Sequence, residues 1–172
     1  MNYQLPIYIQ REWRAQLHAA EPTDKGVFRL IAARPTAPKS FEEQRIIVLC
    51  VDENGFPLAN IPIGFAYSTA PFYALSPDFL WQPPSPLAFV ALTQGSGQIE
   101  QIQGGGVKAG QPGGVTVCPL MPQFSSDYVS GAGMLADHTG LHLTFQLRRN
   151  GVIPIAERLT ALETRIVALE QK

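Results

Sequence analysis

The chain has 172 residues, 45% of them hydrophobic and 16% charged, which suits one domain plus appendages with ample material for a core. A formal net charge of −1, with no long Lys/Arg cluster, leaves no basic footprint for neutralising phosphates and excludes nucleic acid as an expected partner. Fifteen Pro and fifteen Gly, spread along the chain, mark many turns between short strands, the composition of a β domain.

Residues 1–26 read as an N-terminal arm with one short helix ended by Pro22. Its apolar side chains Tyr3, Ile7, Tyr8, Ile9, Trp13 and Leu17 need cover on its own domain or on a neighbouring subunit, so Trp13 is a candidate partner contact. The segment has neither a basic n-region nor a continuous apolar h-region, and no apolar run in the chain is long enough to span a bilayer. The expectation is synthesis in the cytoplasm without a signal peptide, and no membrane span.

From Val27 the pattern becomes β-like. Val27 to Ala33 reads as a strand broken by Pro35 and Pro38, and Gln44 to Val51 as another, apolar on both faces from Ile46 onward. One face can meet a sandwich core; the other needs cover from the arm or another chain. Asp52-Glu53-Asn54-Gly55 carries the Asn-Gly signal of a tight hairpin, and Ile61, Ile63, Phe65 and Tyr67 alternate as its return strand. Ala70 to Pro86 is dense in aromatics and prolines and reads as a long ordered loop. Its Phe72, Tyr73 and Trp81 offer a flat surface on which a sugar ring could stack, or rings that fill the end of a sandwich or an intersubunit contact.

Leu87 to Thr93, Gln98 to Gln103, Val115 to Cys118, Tyr128 to Ser130 and Leu141 to Arg149 complete the strand candidates. In the last, Leu141, Leu143, Phe145 and Leu147 point one way and His142, Thr144, Gln146 and Arg148 the other. Short strands separated by Gly/Pro turns, with no helices between them, predict a mainly β fold. The expected head is a β-sandwich or jelly-roll-like domain over 27–149.

The chemistry-bearing motifs fall short of complete sites. Gly104 to Ala109 fits GxGxxA, but Gly110, Pro112, Gly113 and Gly114 follow where a helix should start, and Lys108 is not followed by Ser or Thr. Asp137, His138 and His142, with Ser125, Ser126 and Asp127 upstream, are the only stretch that invites a hydrolase or metal reading. Ser130 sits in no GxSxG elbow, since Tyr128 holds the upstream glycine position. The expectation is no catalytic residue, no cofactor and no metal, with a small hydrolase using Asp137 and His138 as an alternative. Cys50 and Cys118 each lie in an apolar run and read as buried free thiols rather than a disulfide.

The tail, 150–172, carries the strongest pattern. Ile155, Leu159, Leu162, Ile166 and Leu169 form one seam, with Leu159 and Ile166 at a and Ile155, Leu162 and Leu169 at d of a heptad register. Arg158 and Arg165 fall at g, Glu163 and Glu170 at e, each Arg five residues before its Glu. Side chains on one helix meet at three or four residues, so these pairs point to another chain. Both copies, Arg158 to Glu163 and Arg165 to Glu170, resemble the Arg-apolar-x-x-apolar-Glu motif of short trimeric coiled coils. That resemblance implies a homotrimer; Ile166 at a with Leu162 and Leu169 at d keeps a dimer open, and a helix folded back on its own domain is the competing arrangement. The layout of arm, β head and helical tail is similar to small phage virion components such as capsid decoration, tail or fibre proteins. The expected function is therefore a non-enzymatic surface component of a virion, contacting other particle proteins. A carbohydrate- or cell-wall-binding module using a glycan ligand is the alternative.

Overall fold

The computed structural model describes residues 3–36, 45–66, 88–102, 115–132, 135, 139–152 and 155–170. Its clearest strand is β10, Leu141–Arg149, where Leu141, Leu143, Phe145 and Leu147 are buried and His142, Thr144 and Gln146 only partly so. The alternation read from the sequence thus places one face of β10 in the core. On either side lie β2, Gly26–Pro35, running antiparallel to it, and β3, Arg45–Val51, running parallel. Strands β6, Gln98–Ile102, and β8, Ser125–Ser126, complete a mixed sheet in the order β6-β3-β10-β2-β8.

The second sheet has the order β1-β9-β7-β4-β5 and is antiparallel. It is built from β1 (Gln16–His18), β4 (Pro62–Ala66), β5 (Ala88–Leu92), β7 (Thr116–Pro119) and β9 (Tyr128–Ser130). Ile63, Phe65, Val117 and Val129 from this sheet join Phe28, Leu30, Ile46, Val48, Leu143 and Phe145 from the other in a single hydrophobic cluster. Among the described residues the fold is mainly β, two five-stranded sheets that contribute apolar residues to one core.

The Asn-Gly turn forms, but the hairpin does not continue as expected. Gly55 takes φ +88°, its N–H donates to the Asp52 carbonyl at 3.1 Å, and Val51 bridges Pro57. The chain then crosses to the opposite sheet, where β4 pairs with β5 and β7 rather than with β3. Turn chemistry sets the local reversal; the pairing of the return strand is set by which core its apolar face completes.

The N-terminal segment is part of this chain's own head. Helix α1, Ile7–Glu12, turns Ile9 inward, and Leu5, Ile9, Trp13 and Ala15 all belong to the core cluster. β1 then pairs with β9, so residues 5–18 fill and edge the chain's own domain, one of the two kinds of cover expected for the arm. Trp13, expected as a partner contact, is 1% exposed and is corrected to a core residue. Of the segment's apolar residues, Ile7 and Tyr8 stay exposed. After β10 the chain turns at Asn150–Gly151 and enters α2, Ile155–Glu170.

Candidate interaction site

The end of β10 is gripped by the turn that follows β3. Glu53 is 5% exposed, and its carboxylate accepts hydrogen bonds from the Arg149 N–H and guanidinium, both at 3.1 Å, while its carbonyl accepts from Gln146 Nε2 at 3.1 Å. Next to it, Asn54 Oδ1 accepts from the Ile155 N–H at 2.9 Å, giving one N-terminal amide of α2 the partner that the helix itself cannot supply. Asn150 is held by its own side chain, which donates to the carbonyls of Thr23 and Asp24 at 2.9 and 3.0 Å. The root of the helix is therefore anchored by residues from two distant turns.

Along α2, the four described seam residues Ile155, Leu159, Leu162 and Ile166 are each more than half exposed, and Val152 just before the helix is 44% exposed. Arg158 and Glu163 are exposed beside them. The side chains of Arg165, Leu169 and Glu170, on the last turns of α2, lie outside the described residues. These four large apolar side chains stand in water on one stripe of the helix. Sequence periodicity located the stripe; it missed Glu53 and Asn54, whose partners lie 96 and 101 residues away and which read locally only as turn residues.

The other candidates divide between structural roles and positions outside the described residues. Tyr73, Trp81, Asp137, His138 and the glycine-rich stretch from Gly104 to Ala109 are outside them. Asp127 is buried: Oδ1 accepts from the Ala20 N–H at 2.9 Å and from Arg29 at 2.8 Å, and Oδ2 from the Leu30 N–H at 3.0 Å. Ser126 Oγ donates to the Asp127 carbonyl at 2.8 Å and Ser125 Oγ to the Glu21 carbonyl at 2.5 Å. These groups join β2 to the segment before β9. A cavity of about 260 Å³ opens beside them, lined in part by Tyr3, Leu17, Leu30, Arg29 and Arg148; its carboxylate, Asp127, is already fully engaged.

His142 lies on the outer face of β10, where its Nδ1 accepts from the Arg34 guanidinium at 3.0 and 3.2 Å. Burial, then the Arg34 charge, hold its pKa below the ordinary value, with Glu100 opposing. Cys50 and Cys118 are buried free thiols. Burial raises both, Cys118 to about 12, with Ser126 opposing and Asp127 reinforcing the shift. Such thiols are protonated and inert near neutral pH. Among the described residues no group of three or more His, Cys, Asp or Glu is placed to hold a metal ion, and no helix is long and apolar enough to cross a membrane. Comparison of the chain with protein-family models, with curated proteins and with solved structures returned no match.

Proposed function

We propose that this protein is a non-enzymatic, self-associating structural protein: a homotrimer joined in part by α2, serving as a repeated surface component of a larger particle of the virion type. The observation that carries this reading is the exposed stripe of Ile155, Leu159, Leu162 and Ile166. These residues occupy the a and d positions at which helices interlock with their partners. Opposite charges at g and e, Arg158 to Glu163 and Arg165 to Glu170, suit contact between neighbouring chains, and three strands are what the resemblance of both copies to the motif of short trimeric coiled coils implies. Leu159 at a and Ile155 at d also depart from the Ile-at-a, Leu-at-d pattern of dimers.

The layout supports the particle role. A β head on a self-associating helix presents three copies of one surface, and linked copies hold a repetitive partner far more strongly than one. The β-sandwich reading of the head belongs to the same proposal.

Light scattering on the intact chain and on the double variant Leu159→Ser/Leu162→Ser tests it. The intact chain is expected at three times the 18.8 kDa chain mass and the variant as a monomer with an unchanged β-sheet circular dichroism signal. A variant that keeps the trimer mass would remove the helix from the interface.

A further inference from the structure

The helix is short for the task assigned to it. Sixteen residues rise only about 24 Å, and helices of this length are marginal on their own in water. A specific interface buries on the order of 1,000 Å² or more in total, so a contact restricted to two heptads needs reinforcement from elsewhere.

Resting on the trimer reading, we infer that the interface continues from α2 onto the head through Phe56 and Val152, and that the partner of this surface is a second copy of the same chain. Phe56 is 62% exposed and Val152 44%. Both belong to the helix root: Val152 precedes Ile155 by three residues, and Phe56 is two residues beyond Asn54, whose side chain bonds the Ile155 amide. The apolar stripe of α2 thus has, at its N-terminal end, two further large apolar side chains that the chain leaves in water.

The turn holding Phe56 is pre-organised. Asp52 Oδ1 accepts from the N–H groups of Asn54 and Phe56 at 2.8 and 2.9 Å, and the Asp52 N–H donates to the Phe56 carbonyl at 2.8 Å. Beneath it, Glu53 is locked to Arg149. An aromatic ring on a turn fixed in this way loses little conformational freedom when covered, which is the property of an anchor in an interface. Symmetry supplies the occupant. In a closed three-fold assembly all helices run the same way along the axis, so the three roots meet at one level, and the root contact is the one that would cover each Phe56 with a neighbouring head.

The experiment is sedimentation equilibrium over a concentration series for the intact chain and for full-length Phe56→Ser and Phe56→Ser/Val152→Ser. Circular dichroism checks that the head, in which neither side chain is buried, stays folded. Truncating an anchor of this kind should raise the concentration at which the trimer half-dissociates at least ~10-fold, and further in the double variant. If both variants match the intact trimer within twofold, the root contact is overturned while the helix interface stands. If the intact chain is itself monomeric, the helix reading falls and this inference with it.

Discussion

Asp127 and His142 were both conceivable as reactive groups from sequence, and the structure gives each a different role. The Asp127 carboxylate satisfies two backbone amides and the Arg29 guanidinium in a buried setting, with side-chain exposures of 4% and 18% for the ion pair. Removing one partner of such a pair leaves the other charge uncompensated at a cost of roughly 3–5 kcal/mol. Asp127→Ala is therefore expected to lose about 3 kcal/mol in urea unfolding, and a loss under about 1 kcal/mol would show that water replaces the carboxylate. Nothing near Asp127 in the sequence announces Arg29, 98 residues away, so the role was not legible.

His142 was legible as an outer-face residue from the alternation of β10, but its chemistry depends on its neighbours. Nδ1 accepts from Arg34, which leaves the proton on Nε2, and that atom is buried without a hydrogen-bond partner among the described residues. Its pKa lies below the ordinary value because burial and Arg34 disfavour the charged ring; burial lowers His18 as well. A folded pKa below the unfolded one, about 6.5, means that the unfolded chain binds the proton more tightly. Stability is then complete above about pH 6.5 and falls as pH drops through that value towards the folded pKa. Urea midpoints at pH 7.5 and 5.5 should show the protein weaker at the lower pH, with a smaller difference in His142→Gln. An unchanged difference in that variant would assign the pH dependence to other groups.

Among the elements, those with a clean period were read correctly and those defined by distant pairing were not. β2, β3, β5, β6, β7, β9 and β10 lie within a residue or two of the expected runs, because alternation or a continuous apolar run marks a strand by itself. β1 and β8 were missed: Gln16–His18 lies in a stretch read as helical, Ser125–Ser126 is only two residues long, and both exist through their partners β9 and β2. The same reason explains the return strand β4, whose alternation was legible and whose sheet was not. Gly97 illustrates a constraint of this kind. It takes φ +72° in the turn between β5 and β6, and its carbonyl accepts from the Cys50 N–H at 2.9 Å. A Cβ there would sit 2.6 Å from the Cys50 carbonyl oxygen and 2.9 Å from the Leu58 nitrogen, both backbone atoms. Gly97→Ala is expected to destabilise by at least about 2 kcal/mol, combining left-handed strain with displacement of β3. A chemical-denaturation midpoint equal to wild type would mean that the turn refits without cost.

For the molecule as a whole, composition and turn density gave the mainly β class, and helical spacing marked the tail as a helix, since both are local properties of the chain. The anchoring of that helix by Glu53 and Asn54 and the burial of Trp13 were hidden, because each depends on which distant segments the core brings together. Of the apolar side chains in residues 5–15, for which cover on the chain's own domain or on a neighbour was expected, Leu5, Ile9, Trp13 and Ala15 complete the head, and Ile7 and Tyr8 stay exposed.

The mass of the intact chain in solution decides whether α2 joins three copies. Sedimentation equilibrium at micromolar concentration should give three times 18.8 kDa, shifting to a single chain mass when the chain is cut after Asn150. A single-chain mass for the intact protein across that range would mean that α2 joins no copies.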